Sequence, residues 1–178
     1  SFNPQCPVCR ESIQNSGLVI HPKFAQTKEN KPTAIVKALN ATPREDKVII
    51  FTQFQNLVEH LTDTFTQLEI PYIVLRGSPS EINLSLTNFK YNPHIKVLLM
   101  SVEQAASGIN VQEANHVFFV HPIFGMEFEK AAITYNQCIG RAYRIGQKKK
   151  VDVRLFVTKE SLEEDLVPSF NRYVNPLN

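Results

Sequence analysis

Apolar residues along this chain recur in two rhythms that take turns. Residues 47–52 (KVIIFT) form a short apolar, β-branched run of the kind a buried strand needs. Behind it Phe54, Leu57, Val58, Leu61, Phe65 and Leu68 return at three- and four-residue steps, which is one face of a helix. Pro71 breaks the pattern. Residues 72–75 then read as a strand, Leu84, Leu86 and Phe89 as a short helix, and residues 96–100 and 115–121 as two more strands. A long helix is predicted over 127–144, with Phe128, Ala131, Ala132, Tyr135 and Ile139 on one side. Residues 151–157 alternate with Asp152 and Arg154 as a last strand, and Ser161 opens a final helix with Glu163 and Glu164 in its first turn.

Strand and helix in alternation, with strands apolar throughout, predict a parallel sheet covered on both faces. The expected fold is α/β: a three-layer sandwich around a mainly parallel sheet. In such folds ligands sit outside the carboxyl ends of the strands, so chemistry is expected in the loops after Thr52, Leu75, Met100 and His121. The first 30 or so residues differ, with Pro4, Cys6, Pro7 and Cys9 followed by a polar, lysine-rich connector over 23–32. A chain of 178 residues suits one well-packed domain.

Composition narrows the class without naming a function. Hydrophobic residues at 43% and charged residues at 20% are ordinary for a globular protein. The longest apolar runs, 48–51, 97–100 and 117–120, fall far short of the ~18 residues a membrane span needs, so no membrane partner is expected. A net charge of +2 permits a nucleic-acid partner without arguing for one, and the only concentrated basic stretch holds Arg141, Arg144 and Lys148 to Lys150. Three cysteines are an odd count, and Cys138 lies in an apolar helical pattern, so a disulfide scaffold fails and a reducing intracellular compartment fits. None of the six glycines precedes a Lys-Ser or Lys-Thr pair, so the chain lacks a phosphate cradle and is not expected to turn over ATP alone. His116 and His121 flank a strand without an acidic neighbour in sequence, which favours structural roles.

The informative stretch is 137–147, QCIGRAYRIGQ. On a helix, Gln137, Arg141 and Arg144 share one stripe, and Gly140 removes a side chain beside it. Two guanidiniums on one edge suit a polyphosphate, because each stays charged and forks onto phosphate oxygens.

That stretch resembles motif VI of superfamily 2 helicases, and its ending, Arg144-Ile-Gly-Gln147, looks like the Swi/Snf branch. The resemblance runs in order: 47–54 looks like motif IV, 75–78 like the strand end that meets a DNA strand, and 98–111 like motif V. It covers roughly residues 30 to 170. It implies the C-terminal RecA-like lobe of a double-stranded-DNA-dependent ATPase, completed by a first lobe that holds ATP and Mg2+. By the same resemblance Arg144 is the arginine finger and Arg141 its catalytic partner. Gln137, Gly108, Asn110 and Gly140 line the nucleotide cleft, and Gly77, Ser78, Ser101 and Gln53 face DNA. Two departures stand out: Gln104-Ala-Ala106 replaces the expected Ala-Gly-Gly of motif V, and the loop after Gly77 is two residues short and lacks its usual arginine.

Cys6-Pro-Val-Cys9 is too small a set to close a zinc site by itself, since tetrahedral zinc takes four ligands. With Arg10 and Ile13 it resembles the last ligand pair of a RING finger, as carried by one subgroup of Swi/Snf enzymes just before this lobe. The resemblance implies Zn2+ in the parent RING, a ubiquitin-conjugating enzyme as partner, a ligase activity and a nuclear location. The chain then divides into a RING remnant (1–16), a connector (17–31), the lobe (32–170) and a tail (171–178). Three functions stay open: half of a motor on duplex DNA or chromatin, a DNA-docking scaffold of a ubiquitin ligase, and a lobe of an RNA helicase.

Overall fold

The computed structural model describes residues 18–21 and 30–174. Among the described residues six strands form one sheet in the order β1-β6-β5-β2-β4-β3. They are β1 (Leu18–His21), β2 (Val48–Thr52), β3 (Tyr72–Val74), β4 (Val97–Ser101), β5 (His116–Phe119) and β6 (Val151–Leu155), and every pairing is parallel. Between them run α1 (Lys31–Asn40), α2 (Gln55–Gln67), α3 (Pro79–Tyr91), α4 (Phe128–Ile139) and α5 (Glu163–Val174), with a 3-10 helix over Glu103–Ser107.

Strand side chains alternate between two cores. Val48, Ile50, Val97, Leu99 and Phe118 meet Ile35 and Leu39 of α1 and Val58, Leu61 and Phe65 of α2. Ile49, Phe51, Leu98, Met100, Val117 and Phe119 face the other way, onto Phe89, Ala131, Tyr135, Cys138, Val167 and Phe170. Both faces are therefore covered, which is why the central strands read as unbroken apolar runs. The result is the expected three-layer α/β sandwich, with a sheet parallel among all the described strands.

Several boundaries differ from the sequence pattern, each for a local reason. The stretch 17–31, read as connector alone, contains β1, which adds an edge strand in register with β6, Leu18 opposite Val151. Within the lysine-rich segment α1 begins at Lys31, because the Asn30 side chain accepts from the Thr33 N–H at 3.0 Å and Pro32 sits in the first turn. The helix predicted over 127–144 ends at Ile139. Past Gly140 the backbone tightens, with Arg141 N–H on Cys138 O at 3.1 Å and Ala142 N–H on Ile139 O at 3.0 Å. Arg141 and Arg144 therefore sit on turns, and the predicted single helical stripe with Gln137 does not form.

At the amino ends of the strands, polar side chains brace the layers. Lys47 Nζ donates to the carbonyls of Phe89, Asn92 and Ile95 at 2.6, 2.8 and 2.8 Å, and Lys96 Nζ to those of Leu39 and Thr42 at 3.0 and 2.9 Å. These cations satisfy orphan carbonyls at the carboxyl ends of α3 and α1. Asp46 accepts from Asn115 at 2.8 Å and bonds His116 Nε2 at 2.9 Å, and it also pairs with Lys149. His116 thus has acidic neighbours after all, Asp46 and, at 3.9 Å, Asp152. They come from the loop before β2 and from β6, and spacing along the chain could not reveal them.

Candidate functional site

Because the strands are parallel, the loops after Thr52, Val74, Ser101 and Phe119 share one edge of the sheet. Here the β2 end is locked to the β5 end. The Gln53 N–H donates to His121 Nε2 at 3.1 Å, so that nitrogen is an acceptor and the ring proton sits on Nδ1, donating to Pro122 O at 2.7 Å. Burial lowers the His121 pKa, which keeps this neutral tautomer in place. The Gln53 side chain accepts from Phe124 N–H at 2.7 Å and donates to Phe124 O at 3.1 Å. Tyr135 Oη accepts from Ile123 N–H at 2.8 Å beneath the same loop. Gln53, expected to face DNA, has its amide committed to this loop.

On the β3 side the chain turns at Gly77 with φ +103°, a conformation for which a Cβ would lie 2.5 Å from Glu81 Oε2. Ser78 caps α3, and Glu81 reaches back to accept from the Ser78 N–H at 2.7 Å and hydroxyl at 2.8 Å. Those two bonds hold the Glu81 carboxyl below its ordinary value. The donors expected to meet a DNA phosphate are therefore occupied by an internal carboxylate. Ser101 lies at the end of β4, its N–H donating to Gln104 Oε1 at 2.8 Å, while Gln104 Nε2 donates to Leu75 O at 2.9 Å.

The arginines lie elsewhere, along the segment that leads from the 3-10 helix into the amino end of β5. The Val111 N–H donates to Arg141 O at 3.0 Å, and the Arg141 guanidinium contacts Ile109 O at 3.4 Å and donates through Nε to Gln137 O at 3.1 Å. Arg141 is thus bonded to Ile109 and Val111, on either side of Asn110. Gly108 closes the 3-10 helix at φ +79° with open space around it, Asn110 and Gln137 are exposed, and Gly140 caps α4. Burial, and next the neighbouring Arg144, lower the Arg141 pKa. Arg144 is half-buried, and among the described residues no hydrogen bond or ion pair engages its guanidinium. Gln147 fastens this turn, donating to Gln112 O and Ala114 O at 2.8 Å each and accepting from the Lys149 N–H at 2.9 Å.

Cys6 and Cys9 lie outside the described residues, and among those described no group of three or more His, Cys, Asp or Glu side chains is placed to hold a metal. No described helix is long and apolar enough to cross a membrane. Burial drives the Cys138 thiol pKa upward, the mark of an inert core residue. Sequence reasoning missed Gln104 as a bridging residue, although its departure from the family pattern was a visible signal, and it missed Asp46, for which there was none.

Comparison with known proteins places this geometry. The model of the helicase conserved C-terminal domain matches residues 30–146. An uncharacterized ATP-dependent helicase of Schizosaccharomyces pombe is 37% identical over 140 residues, which are 74% of this chain and 13% of that protein. The E3 ubiquitin-protein ligase SHPRH of Mus musculus is 28% identical over 175 residues, covering 90% of this chain and 10% of that protein. The chain thus spans about an eighth or less of the length of these relatives. Among solved structures, the C-terminal part of the Fun30 ATPase domain superposes with a TM-score of 0.71 at 25% identity, covering 79% of this chain and 45% of that one.

Proposed function

The chain belongs to the helicase conserved C-terminal domain family, and we propose that it is the second RecA-like lobe of a Swi/Snf-type ATPase that moves along double-stranded DNA, naked or in chromatin, in the nucleus. The observation that carries this is the Arg144 guanidinium, half-exposed and unbonded among the described residues, beside an Arg141 that is tied down. Two adjacent guanidiniums repel each other until a polyanion arrives. In this reading a first lobe of the parent holds ATP with Mg2+, and Arg144 reaches the phosphates across the cleft. Arg141 and Gln137 line the same cleft, with Gly108, Asn110 and Gly140 leaving room for close approach. The turn at Gly77 and Ser78, together with Ser101, meets the DNA backbone, while Gln53 positions the loop beside it.

A second reading is favoured by the SHPRH likeness over 90% of the chain and by the Cys6-Cys9 pair. There the parent also carries a RING, Cys6 and Cys9 contribute to its Zn2+ together with ligands from elsewhere, and a ubiquitin-conjugating enzyme docks on it. This lobe then serves chiefly as a DNA-docking scaffold.

The test is ATP hydrolysis by the full-length protein, with duplex DNA, with RNA and with neither, comparing wild type with Arg144→Ala. Duplex DNA is expected to stimulate turnover and RNA not. Removing the finger is expected to cost on the order of 10³-fold. Turnover indifferent to Arg144 refutes the finger, stimulation by RNA moves the lobe to the RNA helicases, and absence of turnover in wild type leaves the scaffold reading.

A further inference from the structure

The departure from the family pattern at Gln104 has a definite geometric consequence. Leu75 N–H donates to Leu99 O at 2.8 Å, one rung beyond the paired residues of β3 and β4. In a parallel ladder the next rung would run from the Ser101 N–H to the Leu75 carbonyl. That bond is not made. The Gln104 amide stands in its place, accepting from the Ser101 N–H at 2.8 Å and donating to Leu75 O at 2.9 Å. Its own N–H caps the arrangement, donating to Ser101 Oγ at 3.2 Å. A primary amide carries a carbonyl acceptor and N–H donors on one planar group, so it can stand in for a peptide group, which carries one of each. It therefore splices into the ladder and bridges the ends of β3 and β4.

The two ends it bridges lead to different places. Leu75 is followed directly by the Gly77-Ser78 turn, whereas Gln104 lies within the 3-10 helix that runs on to Ile109 and Val111, the two residues bonded to Arg141. An alanine at 104, as in the family pattern, supplies no such link. We propose that Gln104 is a positioning residue that couples the DNA-facing turn to the arginine-bearing cleft, so that movement of one is transmitted to the other. This inference rests on the motor reading above and specifies how DNA regulates turnover within it.

The experiment compares the full-length protein with its Gln104→Ala and Gln104→Glu variants in ATP hydrolysis titrated with duplex DNA. Alanine removes both bonds, and the strands are free to close onto the direct Ser101 to Leu75 rung. Glutamate keeps the acceptor for Ser101 but sets a carboxylate against the Leu75 carbonyl, cutting only the link to the turn. Both variants are expected to raise the half-stimulating duplex concentration about fivefold or more, the lower range of coupling between linked sites, with KM for ATP moved less than about twofold. A merely structural glutamine would shift both quantities together or neither. Wild-type DNA dependence in both variants overturns the coupling while leaving the motor reading intact, as does a change confined to KM for ATP. Absence of ATP turnover in the wild type overturns the motor reading and the coupling with it.

Discussion

Asp46 offers a sharp test of how the lobe is braced at the amino ends of its strands. The residue is 8% exposed, and burial by itself would raise its pKa. Bonds from Lys149, Asn115 and His116 more than offset that and hold it at about 2, against an ordinary value of 3.8. At about 1.4 kcal/mol per pH unit, this gap corresponds to roughly 2 kcal/mol of folding stability. Because the folded pKa lies below the unfolded one, the contribution is present in full above about pH 4 and is lost as pH falls toward about 2. Asp46→Asn removes the charge at every pH. The variant is therefore expected to be less stable than wild type by about 2 kcal/mol at pH 7. The difference should shrink steadily between about pH 4 and pH 2. Urea unfolding followed by circular dichroism across that range measures both quantities. A difference that stays constant with pH would refute the ionic account, and no difference at pH 7 would mean that the network is too weak to brace the sheet.

Two further perturbations probe the loops. Gln147→Ala leaves the Gln112 and Ala114 carbonyls without their 2.8 Å donor, and a loss of about 1–3 kcal/mol in chemical unfolding is expected; a loss below about 0.5 kcal/mol, the range of neutral surface changes, would show that water replaces the amide. Glu81→Gln removes the negative charge over the Ser78 N–H and hydroxyl, so duplex DNA is expected to bind the full-length protein more tightly and with a steeper salt dependence in a fluorescence anisotropy titration, and unchanged affinity would mean that DNA does not meet this turn.

Much of the architecture was legible because burial on both faces leaves a plain trace. β2, β4 and the apolar stripe of α2 could be read directly, since each must be apolar wherever a layer covers it. β1 could not, because Leu18 to His21 is four residues long and stands amid polar sequence, and only pairing with β6 makes it a strand. The end of α4 was misplaced for a different reason. Helical periodicity continues through Arg144, and what stops the helix is the tightening of hydrogen bonds past Gly140, which leaves little mark on the pattern of apolar positions. At the candidate site, the arginines were singled out by residue type and by the resemblance of 137–147, while the helical spacing read for them stops at Ile139. The Asp46-His116 contact did not, because it joins residues that the topology, not the chain, makes neighbours.

The same contrast runs through the site itself. Gln53, Gln104 and Gln147 each use both ends of the side-chain amide to join backbone groups: Phe124 N–H and O, Ser101 N–H and Leu75 O, and Lys149 N–H with the Gln112 and Ala114 carbonyls. A peptide-like group on a flexible stem can satisfy a loop where no strand is available to pair with it. Glutamate lacks the donor and lysine the acceptor, so neither could close these joints. Arg144 is built the opposite way, with donors only and nothing among the described residues for them to bind. Motif patterns rich in glutamine and arginine thus combine two physical tasks: the amides fix the loops, and in the motor reading proposed above the guanidinium left unpaired within a fixed loop is the group that would meet an anion from outside the lobe.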